Sequence, residues 1–240
     1  MKPLCILKTG TAIAGIPSDW GDFEHWIARA AQMDDQHWIC CDVRAGETLP
    51  SIGDISGVII TGSPAMVTDR EDWSERSADW LRELVQGAIP ALGICYGHQL
   101  MAHALGGEVD YHPQGREIGT KPLLSTQAAQ QDLLFQVMPS RYLAHTTHSQ
   151  SVVGLPPGAE VLAANDFEPH HGVRFAPMAW GVQFHPEFTM DVMSRYLELR
   201  SGVLQKEGFD VARLLADVQD AAEGRALLPR FVDVVRSTQA

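Results

Sequence analysis

The chain has 240 residues, 45% of them hydrophobic, and sets 18 Lys and Arg against 30 Asp and Glu for a formal charge of −12. Such a surplus of acid repels phosphate backbones and anionic lipid surfaces, so neither nucleic acid nor membrane is expected as a partner. No run approaches the roughly 18 apolar residues of a spanning helix.

The length suits one hydrophobic core. The opening MKPLCILKTGTAIAGIPSDW has no apolar stretch of signal-peptide length and reads as mature protein. Cys5, Cys40, Cys41 and Cys95 lack the spacing of a disulfide framework or a zinc site, which points to a reducing cytoplasm.

Short apolar runs bounded by turn residues alternate with amphipathic stretches, the pattern of strands and helices laid down in turn. PLCILKT (3–9) and HWICCDV (37–43) are expected strands flanking a helix in DWGDFEHWIARAAQM, with Ser18 or Asp19 as N-cap. GVIITGS (57–63) is a third strand, running into Thr61-Gly62-Ser63-Pro64. In EDWSERSADWLRELVQGA the apolar residues Trp73, Ala78, Trp80, Leu81, Leu84 and Val85 fall near one helical stripe. IPALGI then resumes the strand pattern and leads into Gly93-Ile94-Cys95-Tyr96-Gly97 and a helix through Gln99, Leu100, Ala102 and Leu105.

From residue 108 to 185 the pieces shorten: REIGTKPLLS, SRYLAHTTHS, AEVLAAND, HGVRFA and MAWGVQFH read as antiparallel additions to a parallel sheet. FTMDVMSRYLELRSGVLQKEG is a helix capped by Thr189, and one or two more helices follow, Pro229 starting or kinking the last. The expected architecture is a three-layer α/β fold with a mostly parallel open sheet, residues 1–205 forming the main domain and residues 206–240 a helical extension packed on it.

Cys95 sits where strand turns sharply into helix, the layout of a nucleophile elbow. Glycines two positions before and after it relieve clashes where the chain packs back on itself. At a helix N-terminus, aligned peptide dipoles favour thiolate, and free N–H groups can donate to a developing oxyanion. Cys5, Cys40 and Cys41, inside strand patterns, read instead as small buried hydrophobes.

A thiol nucleophile needs a base. In WGVQFHPEF an apolar strand ends at His185, and Glu187 follows after a proline, a spacing that suits a base and its orienting acid. His145 with His148, and the pair His170-His171, have no convincing third ligand, so no metal is expected. His98 and His103 read as packing or surface residues, and Trp73, Trp80 and Trp180 as core.

GICYGHQLMAHALGG and, about ninety residues later, GVQFHPEF resemble the motifs of the class I, or triad, glutamine amidotransferases, over roughly residues 3 to 200 and most nearly the glutaminase domain of GMP synthase. The resemblance implies a flavodoxin-like fold, Cys95 as the nucleophile forming a γ-glutamyl thioester, His185 as base and acid, and Glu187 as its orienting group. It implies an oxyanion hole in the loop after the third strand, here Gly62 and Ser63 with Tyr96, Ser63 replacing the usual second glycine. Gln99 resembles the family's substrate-contacting glutamine, and Thr147-His148-Ser149 matches the segment that grips the amino-acid end of the substrate. That segment departs from S-H-G-D, with Ser149 and Gln150 where Gly and Asp are usual. REIG at 116–119 matches a recurrent family segment from which no chemistry follows.

No cofactor is implied. The expected substrate is glutamine or a γ-glutamyl small molecule, with ammonia released to a separate synthetase, no P-loop or acceptor domain being evident. The alternative is a γ-glutamyl peptide or amide hydrolase or transferase without channelling. A dienelactone-hydrolase-like enzyme would place its acid between nucleophile and histidine, at Asp110, Asp132 or Asp166. A non-catalytic regulatory protein of the same fold is the remaining alternative.

Overall fold

The computed structural model describes residues 2–34 and 37–239; Met1, Asp35, Gln36 and Ala240 lie outside the described residues. Its first half alternates β1 (Leu4–Lys8), α1 (Phe23–Ala30), β2 (Trp38–Asp42), β3 (Gly57–Ile60), α2 (Asp72–Gln86), β4 (Ala91–Ile94) and α3 (Tyr96–Ala104). A run of strands follows: β5 (Glu108–Tyr111), β6 (Glu117–Ser125), β7 (Arg141–His148), β8 (Gln150–Gly154), β9 (Glu160–Ala164), β10 (Gly172–Ala176) and β11 (Ala179–Val182). The chain finishes in α4 (Met190–Leu199), α5 (Ser201–Lys206), α6 (Val211–Ala216), α7 (Ala222–Arg225) and α8 (Leu227–Ser237).

Nine strands form one sheet in the order β2-β1-β3-β4-β11-β10-β9-β6-β7. β2 through β11 in that order pair in parallel, and β10, β9, β6 and β7 extend the sheet antiparallel. This is the three-layer α/β architecture expected. The two-stranded β5–β8 sheet was not anticipated from the sequence.

Period-two alternation along β1 shows how the layers are built. Leu4 and Ile6 face a core with Ile27 of α1 and Phe231 and Val235 of α8. Cys5 and Leu7 face the opposite core, with Leu81 and Leu84 of α2 and Leu100 and Met101 of α3. The C-terminal helix therefore covers the same sheet face as α1. A third cluster packs Phe23 and Trp26 against Phe188, Met193 and Tyr196.

Several local expectations are corrected. α1 is capped by Asp22, not Ser18 or Asp19: those two lie in a separate turn of 3-10 helix that ends at Gly21 with φ 79°. Asp22 Oδ1 accepts from the N–H of Phe23 and of Ala12, which ties the loop after β1 to the helix start. Cys40 is exposed on the edge strand β2, while Cys5 and Cys41 are buried as expected. The helix from Thr189 is capped as expected, Oγ1 accepting from Val192 N–H at 3.3 Å, but breaks at Arg200, the C-cap of α4 and N-cap of α5. Among the described residues three helices follow residue 206 instead of one or two, and Pro229 falls in the first turn of α8, where its missing N–H costs nothing.

The chain goes from β1 outward to β2 and returns across β1 to β3, so the connections leaving β1 and β3 diverge at their carboxyl ends. Such a switch point opens a crevice in doubly wound sheets. Thr9 and Thr61 close its floor: Thr9 N–H donates to Thr61 Oγ1 at 3.0 Å, and Thr9 Oγ1 to the carbonyl of Thr61 at 2.9 Å.

Candidate active site

Cys95 follows β4 and caps α3 with φ 50° and ψ −99°, a left-handed conformation that a non-glycine residue adopts only at a cost. Its N–H donates to Val182 O at 2.7 Å, which fastens the turn to β11. The flanking glycines have the reason expected of them. A Cβ on Gly93 would lie 2.3 Å from the carbonyl oxygen of Gly97, and one on Gly97 would lie 2.6 Å from that of Ile60.

His185 arrives just beyond β11, its N–H donating to His145 O at 2.8 Å. Nδ1 lies 2.7 Å from Glu187 Oε1, and both side chains are buried. The imidazole stacks on Phe188 at 4.3 Å, with Phe23 beyond at 6.3 Å. Burial opposes a charge on this ring, but the Glu187 carboxylate and the Cys95 sulfur outweigh it and push the pKa up to about 10. Cys95 and His185 line one cleft.

Ser63, Tyr96 and Gln99 line that cleft too, as do Thr147, His148 and Ser149. Cys95 Sγ is 3.9 Å from the Thr147 carbonyl oxygen. Gly62 and Glu187 stand behind the lining. Gly62 has a role its sequence did not reveal, because a Cβ there would lie 2.9 Å from His185 Cε1 and 3.8 Å from Cys95 Cβ. Gly10 makes similar room for the Ser63 loop: a Cβ there would lie 2.7 Å from Ser63 Oγ.

Gln99 spends its Nε2 on the carbonyl of Gln150 at 2.7 Å and on Gln183 Oε1 at 2.9 Å, leaving Oε1 as the atom it can offer a ligand. Gln150 also lines the cleft, but its side chain is engaged, its Oε1 accepting from Val67 N–H at 3.1 Å and its Nε2 donating to Thr68 Oγ1 at 2.6 Å.

The segment Thr147-His148-Ser149 is braced from behind. His148 Nδ1 donates to Gln150 O at 3.0 Å, and its Nε2 lies 3.2 Å from Glu117 Oε2. His171 Nε2 lies 3.0 Å from the same oxygen, and Asn165 Nδ2 donates to Glu117 Oε1 at 2.7 Å. Burial would raise the Glu117 pKa, but His148 and His171 hold the carboxyl well below the usual range. Glu117 is thus the third group that the histidine spacing did not disclose, and Glu117, His148 and His171 have ligand atoms within 4.8 Å of one another. Asn165 and the two imidazoles crowd the carboxylate, and the trio serves as a buried brace. His170 stays out of it, donating from Nδ1 to Val152 O at 2.6 Å. His145 is buried against Thr120 Oγ1 at 3.2 Å, and burial pulls its pKa down to about 4.

The remaining sequence expectations are placed as follows. His98 is buried against Phe175, and His103 reaches Glu75 at 3.1 Å. Trp73, Trp80 and Trp180 are core residues. Asp132 accepts from the N–H groups of Leu134 and Phe135 at 2.9 Å and from Trp180 Nε1 at 3.1 Å, a packing role. Asp110 and Asp166 are exposed, so Glu187 is the acid that reaches His185. Arg116, Tyr196 and Arg200 also line the cleft, and sequence reasoning missed all three.

Residues 22–200 match the family model described as glutamine amidotransferase class-I. The chain is 33% identical over 149 residues to the GMP synthase [glutamine-hydrolyzing] of Porphyromonas gingivalis, covering 61% of this chain and 28% of that protein. It is 29% identical over 188 residues to the enzyme of the same description from Aeropyrum pernix, covering 75% of this chain and 34% of that protein. It therefore spans about a third or less of the length of these relatives. Among solved structures, a glutamine amidotransferase from Thermotoga maritima superposes with a TM-score of 0.78 at 21% identity, covering 98% of each chain. A glutamine amidotransferase from Methylobacillus flagellatus gives 0.71 at 22% identity, covering 99% of this chain and 93% of that one. Among the described residues no helix is long and apolar enough to cross a membrane.

Proposed function

We propose, from the premise that this chain belongs to the class-I glutamine amidotransferase family, that it hydrolyses the side-chain amide of glutamine, or of a related γ-glutamyl amide, through a thioester on Cys95. The observation that carries this reading is the 2.7 Å pairing of Glu187 with His185, which lines the same cleft as Cys95 at its strained elbow.

In this reading the Cys95 thiolate attacks the γ-carbonyl carbon, and the carbonyl π electrons move onto oxygen. Backbone N–H groups of Ser63 and Tyr96, the latter at the start of α3, stabilise that oxyanion. His185, protonated and held by Glu187, gives its Nε2 proton to the leaving nitrogen as the C–N bond breaks, and ammonia departs. Water then enters, His185 takes its proton, hydroxide adds to the thioester carbon, and glutamate leaves as the thiolate re-forms. Burial of Glu187 supports a fixed orientation and tautomer for the imidazole.

The GMP synthase relatives supply the motive for a partner: where glutamine is the donor, the released ammonia would pass to a separate synthetase that accepts it. The test is glutamate and ammonia release from glutamine by the purified chain. Loss of both in Cys95→Ala supports the reading, and undiminished release refutes it.

A second reading, hydrolysis of γ-glutamyl peptides without channelling, uses the same thioester. It is favoured by Gln150, whose neutral side chain is engaged with Val67 and Thr68 where S-H-G-D would place an acid.

A further inference from the structure

The cleft is lined by arginines and by no acidic side chain among the described residues, although the chain is acidic; the arginines are Arg116 and Arg200. This holds in a chain with 30 acidic residues against 18 Lys and Arg.

The two arginines differ. Arg116 is compensated, its Nε 2.8 Å from Glu207 Oε2 and its Nη2 3.2 Å from Oε1, a bidentate pair. Arg200, at the joint between α4 and α5, keeps a buried Nε with no hydrogen-bond partner. Burial, and then the charge of Arg116, pull its pKa below the usual guanidinium range, so an anion beside it would relieve both. The planar guanidinium fork is shaped for a carboxylate.

The opposite charge is not provided for. Gln99 offers the wall only a carbonyl oxygen, and the Gln150 side chain is spent on Val67 and Thr68. A ligand with one ammonium and one carboxylate, such as glutamine, adds no net charge and leaves the charge of Arg200 uncompensated. A γ-glutamyl amino acid carries one carboxylate more.

Building on the thioester reading above, we propose that the acyl donor is a γ-glutamyl amino acid or short γ-glutamyl peptide, and that Arg200 holds the carboxylate of its leaving amine. The thiolate of Cys95 attacks the γ-carbonyl, the C–N bond to the leaving amino acid breaks, and its nitrogen takes the His185 proton. Water then releases glutamate, so the products are glutamate and a free amino acid or peptide instead of ammonia.

Three donors test this: γ-glutamylglycine, γ-glutamylmethylamide, which has the same secondary amide without the second carboxylate, and glutamine. For the wild-type chain, kcat/KM for γ-glutamylglycine should exceed that for the methylamide by about 10-fold or more, the worth of one charge-assisted hydrogen bond. In Arg200→Gln that ratio should collapse towards one, with labelling of Cys95 by a glutamine-mimicking electrophile reporting an intact site. A wild-type ratio near one, which needs no variant, overturns the proposal. A ratio that survives in Arg200→Gln overturns it too, and proportional losses on all three donors would place Arg200 on the α-carboxylate that they share. No glutamate from any donor would sink the thioester reading itself, and this inference with it; turnover of glutamine with no preference sinks only the inference.

Discussion

Gly62 and His185 are in direct apposition: a Cβ on Gly62 would lie 2.9 Å from the imidazole Cε1. The loop after β3 therefore sets where the ring can stand. Gly62→Ala should lower kcat/KM by about 10- to 100-fold, since displacements on the order of 1 Å at a reacting group have effects of that size. Overpacking should cost about 1–3 kcal/mol of stability. Steady-state kinetics beside a thermal melt separates the two, and an alanine variant of undiminished activity would show that the ring is positioned by other contacts.

The pairing of His185 with Glu187 fixes a direction for pH dependence. The His185 pKa is raised from 6.5 to about 10, with burial opposing the shift and Glu187 the foremost of the groups that produce it. A raised pKa contributes stability that is complete below the unfolded value and fades as pH rises through the folded one. The melting-temperature advantage of wild type over Glu187→Gln should thus be greatest below pH 6.5 and shrink towards pH 10. Turnover in Glu187→Gln should fall by about 10²- to 10⁴-fold, as expected when an imidazole loses its orienting carboxylate. An advantage that grows with pH would reverse the sign of this account.

Glu117 has the opposite linkage. Its pKa is lowered from 4.5, so its contribution is complete above that value and disappears on acidification. Glu117→Gln should cost about 3 kcal/mol or more at neutral pH, the effect of breaking a buried charged network. Denaturant unfolding at neutral pH and below pH 4.5 should show the gap between wild type and variant closing in acid. A gap that persists undiminished would mean the carboxyl is not ionised in the native state.

Asp132 separates two chemistries. It satisfies two backbone N–H groups and the indole of Trp180, so Asp132→Ala should lose about 1–3 kcal/mol for each buried donor left unpaired. Its folded fraction should keep wild-type kcat/KM, while Glu187→Ala should not. The reverse result would restore the α/β-hydrolase arrangement, with the acid before the histidine.

The parts of the fold and site that are written in consecutive residues were legible in the sequence. Strand, glycine-flanked cysteine and helix follow one another without interruption from Ala91 to Ala104, and His185 and Glu187 are two residues apart. Contacts between distant segments were not legible. Nothing near Gly62 indicates that His185 packs on it, and Glu117 meets His148 only once β6 and β7 are paired and His171 only when the segment before β10 reaches them. Arg200 was hidden by a continuous helical pattern that breaks at that residue. The cap of α1 went to Asp22 because a glycine turn precedes it and its carboxylate serves two backbone N–H groups at once, a contest between neighbouring polar residues that spacing does not decide. Cys40 reads as a core residue by its apolar company, but its strand lies at the sheet edge.

The most direct measurement is treatment of the purified chain with a diazoketone analogue of glutamine, followed by peptide mass analysis and by turnover assays of Cys95→Ala. One label per chain, on the peptide carrying Cys95, and a loss of activity of about 10³-fold or more in the variant are expected of a covalent nucleophile. A label on Cys40, the exposed cysteine, or a Cys95→Ala protein that still releases glutamate at the wild-type rate, would contradict it.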